Sequence, residues 1–275
     1  LASVQPGQGL KDPVDSQAIP TVKLTDVFRQ AEGSTIIEFA HSIKKGELPD
    51  DFAEATEDRR FFPCSTDEVA DVVVKICSFA LDKGYSIHDI QVLAPIYKGK
   101  AGVEHLNVQL QSVFNPKSEQ KREIEFRDTI FRTGDKVLQL VNDPENQVFN
   151  GDIGVISAIF YANETESKED QVVVTFENKD IIYTRSTLHS LTLAYCCSIH
   201  KSQGSEYPIV VLPIVKSYFR MLKRNLLYTA VTRSKKFLLM CGEASALKQA
   251  VENDSQDERN SLLAYKLQEL VHPHT

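Results

Sequence analysis

The run "SLTLAYCCSIHKSQGSEYPIVVLPI", residues 190–214, sets a short polar connection between two apolar stretches. Neither stretch alternates apolar with polar residues, so each reads as a strand covered on both faces. "KKFLLMCG" (235–242) has the same character, and "RNLLYTAVTRS" (224–234) before it has helical spacing through Leu226, Leu227, Ala230 and Val231. Strand, strand, helix and strand in that order predict a mostly parallel sheet with helices packed on it. In such a sheet ligands bind beyond the carboxyl ends of the strands, which is where "HKSQGSE" (200–206) begins. Lys201 offers a point charge, Ser202 and Ser205 offer hydroxyls, Gly204 lets main chain approach a ligand, and Glu206 can accept bonds from sugar hydroxyls or an arginine. The alternative is a capped turn carrying a surface lysine.

Upstream the pattern continues. "STDEVADVVVKICSFALDKGYS" (65–86) has Ser65 three residues before Glu68, a capping-box spacing, then apolar residues at Val69, Val72, Val73, Ile76 and Phe79 before Gly84. "DIQVLAP" (89–95) reads as a short strand, and "GVEHLNVQLQSVF" (102–114) returns to helical spacing. Between about Lys121 and His189 the character changes. "GDKVLQLVN", "GDIGVISAIFY", "QVVVTFE" and "DIIYT" are short β-rich runs separated by turns such as "FNGD" and "ENKD". A small barrel or curled sheet fits, inserted between two halves of the α/β unit.

The 275 residues are 42% hydrophobic and 25% charged, which excludes a disordered chain and allows one large domain or two modest ones. There is no run of about 18 apolar residues and no basic-then-apolar start, so a cytoplasmic protein with no membrane association is expected. The five cysteines lack CxxC spacing and read as free thiols. The net charge of −7 hides segregated signs: acid gathers in 46–58 and 163–170, while base gathers in "KSYFRMLKR" (216–224), in "TRSKK" (232–236) and around Lys98, Lys100, Lys117, Lys121 and Arg122. An acidic protein with basic islands can bind a polyanion locally.

Taken together, "LTLAYCCSIHKSQGSEYPIVVLPI" and "NLLYTAVTRSKKFLLMCG" resemble motifs V and VI of superfamily 1 helicases, in the RecD-like branch of bacterial DNA helicases. "VKLTDVFRQAEGSTIIEFAHSIKKGELP" (22–49) resembles the motif IV region and "VLAPIYKGKAGVEHLNVQLQSVFNP" (92–116) the segment after it, while "GDKVLQLVNDPENQVFNGDIGVI" (134–156) resembles an inserted SH3-like barrel. The resemblance covers nearly the whole chain in order. It implies an α/β fold: a RecA-like parallel-sheet domain over 21–120 and 190–275, with a small SH3-like β-barrel at 121–189 and residues 1–20 as a linker from a first RecA-like domain. It further implies that Arg29 and Arg233 are catalytic arginines reaching the γ-phosphate of ATP, with Gly204 and Glu206 completing the nucleotide-binding side. Lys98, Asn107, His200, Lys201, Ser202 and Gln203 are implied on the side that tracks single-stranded DNA, in an enzyme of the 5′ to 3′ branch.

The departures carry as much as the match. No G-x-x-x-x-G-K-[ST] occurs, since Gly99–Lys100 is followed by Ala101, and no apolar strand ends in the acidic pair that would hold magnesium. The expectation is therefore a C-terminal fragment of an ATP- and Mg2+-dependent DNA helicase, inactive alone, whose partners are single-stranded DNA and the missing N-terminal RecA-like domain, with the barrel open to a protein partner. The alternative is a non-catalytic nucleic-acid-binding module that kept a RecA-like shell. An α/β metabolic enzyme using 200–206 for a phosphorylated metabolite leaves the ordered matches unexplained.

Overall fold

Seen in a computed structural model, the described residues are 33–177, 179–253 and 262–271, with Pro13, Val14, Ser16, Pro20 and Val22. The first half of the α/β unit comprises α1 (Thr35–Lys45), β1 (Arg59–Pro63), α2 (Val69–Asp82), β2 (Ile90–Ala94) and α3 (Val103–Phe114). Then come the strands β3 (Glu123–Phe126), β4 (Thr129–Arg132), β5 (Lys136–Gln139), β6 (Ile153–Phe160), β7 (Gln171–Phe176), β8 (Lys179–Thr184) and β9 (Leu191–Leu193). The second half comprises β10 (Cys196–Ser198), β11 (Tyr207–Ile214), α4 (Arg224–Val231), β12 (Ser234–Gly242), α5 (Ala244–Glu252) and α6 (Leu263–Val271).

β1, β12, β11, β2 and β10 lie side by side in that order, every pair parallel. β11 is buried almost throughout, as its unbroken apolar run requires for a strand covered on both faces. α2 and α3 pack on one another, and α4 packs against α1 and α5. Each helix is amphipathic: α2 buries Val69, Val73, Ile76 and Cys77, and α1 buries Ile36, Phe39, Ala40 and Ile43. Ser34 caps α1 through its hydroxyl, and Gly46 ends it in the left-handed conformation at φ 84. Ser65 and Glu68 do meet, the Ser65 amide donating to the Glu68 carboxylate at 3.0 Å.

The inserted strands form two pieces. β3 and β4 make a hairpin, and β8, β7, β6, β5 and β9 make a five-stranded antiparallel sheet. One expectation is corrected here. "SLTLAYCCSI" is not one strand: Leu191–Leu193 pairs antiparallel with β5, whereas Cys196–Ser198 pairs parallel with β2. The division falls at Ala194–Tyr195, where the Tyr195 hydroxyl donates to the Asp135 carboxylate at 2.7 Å. That contact anchors the crossing between the two sheets.

Asp135 is fully buried and also accepts from Gln111 Nε2 (2.6 Å), Asn115 Nδ2 (2.7 Å) and the Arg132 amide (2.6 Å). Burial raises its pKa above the ordinary carboxylate value against the pull of these donors. The neighbouring Lys136 is buried too, and its ammonium donates to Gln91 Oε1 at 3.0 Å and to the carbonyls of Ile87 and Ile90 at 3.3 Å. Burial pushes its pKa down to about 8. Consecutive residues of β5 and its approach thus plug in opposite directions, Asp135 into α3 and Tyr195, Lys136 into β2. The antiparallel sheet is thereby fixed to the parallel one through a satisfied polar junction.

Candidate functional site

The connection after β10 is held by its own hydroxyls. Ser198 accepts the Lys201 amide at 3.4 Å, Ser202 Oγ donates to the Ile199 carbonyl at 2.7 Å, and the Ser205 amide donates to the Ser202 carbonyl at 3.1 Å. Ile199 and Ser202 point inward, so His200, Lys201, Gln203 and Gly204 are left toward solvent to different degrees. Gly204 has φ 87 with open space where a Cβ would lie, a main-chain conformation that other residues adopt at a cost.

Strand register shows where this connection leads. Ser198 stands beside Ala94 at the carboxyl end of β2, while Ile209 stands beside Ile90 at its amino end. Residues 199–206 therefore travel the length of β2, roughly 13 Å at 3.3 Å per residue. One end of the connection lies at the carboxyl edge of the sheet and the other at the amino edge, which the sequence reading placed together.

At the carboxyl edge Lys98 is exposed in the loop after β2, and the neighbouring Tyr97 hydroxyl donates to Ser198 Oγ at 3.4 Å. Lys201 Nζ donates to Asn150 Oδ1 in the turn before β6. The α/β unit and the inserted sheet thus meet at Lys201. Tyr97 and Asn150 were not singled out from the sequence; the only sign of Asn150 was its place in the "FNGD" turn.

At the amino edge Arg233 follows α4. It is 3% exposed, and its guanidinium donates to the carbonyls of Thr229 (3.1 Å) and Ser205 (3.1 Å) and to Thr232 Oγ1 (3.2 Å). The Thr229 carbonyl is in the last turn of α4, so the arginine satisfies a helix end as well as holding Ser205. The Tyr207 amide donates to the Arg233 carbonyl at 2.9 Å, and Glu206 pairs with Lys235 at 2.8 Å. Lys235 also lines an open cleft of about 1020 Å³ with Ser34, Thr35, Thr56, Asp58 and Arg60. Asp58 accepts from the hydroxyls of Ser34 at 2.6 Å and Thr56 at 3.2 Å, and from Thr35.

Two of the residues expected on the DNA side, Asn107 and Ser202, are buried. Asn107 is 4% exposed; its Nδ2 donates to the carbonyls of Leu193 (3.0 Å) and Cys196 (2.9 Å), and its Oδ1 accepts the Cys196 amide (2.8 Å). It stitches α3 across the break between β9 and β10 and has no hydrogen-bonding capacity aimed outward. Ser202 has no exposure and spends its hydroxyl on Ile199. Arg29 lies outside the described residues.

Among the described residues no group of three or more His, Cys, Asp or Glu is placed to hold a metal ion. No described helix is long and apolar enough to cross a membrane.

Residues 106–176 match the family described as the ATP-dependent RecD-like DNA helicase SH3 domain, and residues 193–241 match the UvrD-like helicase C-terminal domain. The ATP-dependent RecD2 DNA helicase of Deinococcus radiodurans is 33% identical over 248 residues, 90% of this chain and 32% of that protein. The RecBCD enzyme subunit RecD of Haemophilus influenzae is 27% identical over 164 residues, 60% of this chain and 23% of that protein. The chain thus spans about a third or less of the length of these relatives. In fold it is similar to the Pif1 helicase of Candida albicans, with a TM-score of 0.52 at 15% identity over 92% of this chain and 61% of that one. A Pif1 helicase from work on unwinding at forked duplex DNA gives 0.50 at 20% identity, over 86% and 52%.

Proposed function

We propose, from its likeness to the RecD-like branch of superfamily 1 helicases, that the chain is the second motor domain of an ATP-dependent DNA helicase, with the inserted barrel beside its DNA track. The observation that carries this reading is the reach of residues 199–206 from one edge of the sheet to the other. Lys201 follows Ser198 at the carboxyl edge, where the loop carrying exposed Lys98 also begins, and Glu206 follows Ser205, which Arg233 holds at the amino edge. A ligand pressing on either end of a short, hydrogen-bonded connection is felt at the other, which is the coupling a translocating motor needs.

In this reading single-stranded DNA lies along the carboxyl edge, with phosphates on Lys98 and Lys201 and polar contacts from His200 and Gln203. Arg233 and Arg29 serve the nucleotide from the amino edge, across a cleft shared with a first RecA-like domain of the same protein. ATP supplies the phosphoryl transfer that opens and closes that cleft. Arg233 would exchange its three internal acceptors for phosphoryl oxygens, and in doing so release the Ser205 carbonyl. The same reading places the parent in the cytoplasm, divides the chain into a body and an inserted barrel near 121–189, and leaves the barrel's outer face for a protein partner. It also makes the fragment inactive alone.

The test is ATP turnover by this chain and by the whole protein, each with and without single-stranded DNA. Turnover by the whole protein alone, stimulated by DNA, is the expected result. Absence of turnover from the whole protein would favour the non-catalytic nucleic-acid-binding alternative.

A further inference from the structure

We propose that Phe149, on the inserted sheet, and Tyr97, on the α/β unit, are base-stacking residues that flank the His200–Lys201 turn and hold a single strand between them. The inference rests on the single-stranded DNA reading above and adds to it a contact with bases rather than phosphates, made from two parts of the molecule.

Both rings are half exposed, at 49% each. Neither sits on a loose loop. The Phe149 amide donates to Asp152 Oδ2 at 2.7 Å, and its carbonyl accepts the Asp152 amide at 3.0 Å. The Asn150 amide donates to Asn142 Oδ1 at 2.9 Å, and the preceding Val148 is buried and bridged to Asp143. The turn is therefore anchored by sinking Val148 and leaving Phe149 out. On the other side the Tyr97 carbonyl accepts the Glu104 amide at 3.0 Å, and it packs so closely over Gly102 that a Cβ there would lie 2.5 Å away. A chain that fixes its main chain this tightly and still exposes a phenyl ring forgoes apolar burial that the fold could have taken.

The two aromatics belong to one surface because their anchors are linked. Tyr97 reaches Ser198, Ser198 accepts the Lys201 amide, and Lys201 reaches Asn150, the residue after Phe149. Lys98 follows Tyr97 in the chain and is exposed, and His200 precedes Lys201 and is half-buried. Lys100, by contrast, is engaged with Asp67 at 2.7 Å. Fixed aromatic faces beside cations are the arrangement that grips a single strand without regard to sequence, since every base has a π-face.

The test uses this chain and a labelled thymidine oligonucleotide, with a second oligonucleotide carrying 5-iododeoxyuridine for photocrosslinking and mass-spectrometric mapping. Crosslinks are expected on Phe149 and Tyr97. Phe149→Ala is expected to weaken binding about 5- to 150-fold with the salt dependence unchanged, while Phe149→Tyr restores it. Lys201→Ala should instead lower the salt slope by about one. If the folded wild-type chain binds the oligonucleotide, yet Phe149→Ala binds equally well and crosslinks map elsewhere, stacking is overturned and the DNA reading stands. If the folded wild-type chain binds no single strand, the DNA reading fails and the stacking inference falls with it.

Discussion

Arg233 donates through Nη1 to the main-chain carbonyl of Ser205 at 3.1 Å, so the arginine proposed for the nucleotide is tied to the connection proposed for DNA. If the whole protein is the proposed helicase, Arg233→Ala in it should lower ATP turnover by about 10³-fold or more while single-stranded DNA affinity persists. Arg233→Lys keeps the charge but loses the fork, so turnover should fall with it too. Steady-state hydrolysis at saturating DNA is the measurement; unchanged turnover in the alanine variant would remove Arg233 from the reaction.

The Asp135 carboxylate accepts four bonds, from Gln111, Asn115, Tyr195 and the Arg132 amide. Asp135→Asn is nearly the same shape, but its amide turns a donor toward donors. A loss of about 2–3 kcal/mol is expected, read from urea unfolding. The size of the loss reports on the junction as a whole, because Asp135 joins α3 to the inserted strands. A variant as stable as the wild type would mean that the junction is not what fixes the two sheets.

What could be read in the sequence follows from burial pattern. The helices 69–82 and 103–114 have one apolar stripe each and were legible from spacing alone. The run 190–199 was not, because Leu191 in the antiparallel sheet and Cys196 in the parallel one are equally apolar, and composition does not say which partner a strand takes. The burial of Asn107 and Lys136 was not legible either, because the hydrogen-bond partners of each come from distant segments such as Cys196 and Gln91. Lys201 was expected as a cation facing a ligand; its bond to Asn150 was not legible, because that partner lies in a distant turn.

Lys136 offers a stability test with a definite sign. Burial lowers its pKa from 10.5 to about 8, so the unfolded chain holds the proton more tightly. Below about pH 8 both states are protonated and the penalty is present in full; between about 8 and 10.5 it is relieved as the folded state alone loses its proton. Relative to Lys136→Met, the wild type should therefore gain roughly 3 kcal/mol over that window. The partners left by the methionine add an offset that does not vary with pH, so only the slope is diagnostic. A flat difference in urea-unfolding free energy from pH 7.5 to 10.5 would contradict the buried ammonium.

Two glycines separate conformational strain from steric conflict. A Cβ on Gly242, at φ 133, would meet the Ile214 carbonyl oxygen at 1.9 Å, at the last pair of β11 with β12. Gly242→Ala should leave no folded protein at ambient temperature. Gly204, at φ 87, has nothing within 4 Å, so Gly204→Ala should cost only about 1 kcal/mol and fold. Circular dichroism melts of the two variants decide the matter; equal losses would show that contact with Ile214 is not the source of the first effect.

Asn107 and Lys201 were read from sequence as the same kind of residue, and their environments make them opposites. Asn107→Ala strands the Leu193 carbonyl and the Cys196 amide inside the fold, so about 2–3 kcal/mol of stability should be lost. The fraction that remains folded should bind single-stranded DNA as the wild type does, because no group of Asn107 faces outward. Lys201→Ala gives up one bond to Asn150 near the surface, and its unfolding midpoint should hardly move. Its DNA affinity should fall and its salt slope should drop by about one, as expected for the loss of a single phosphate contact. Paired urea and DNA titrations of both variants read the contrast directly. If Asn107→Ala weakens DNA binding at full stability, the buried carboxamide is not confined to the fold and the DNA track must pass over α3.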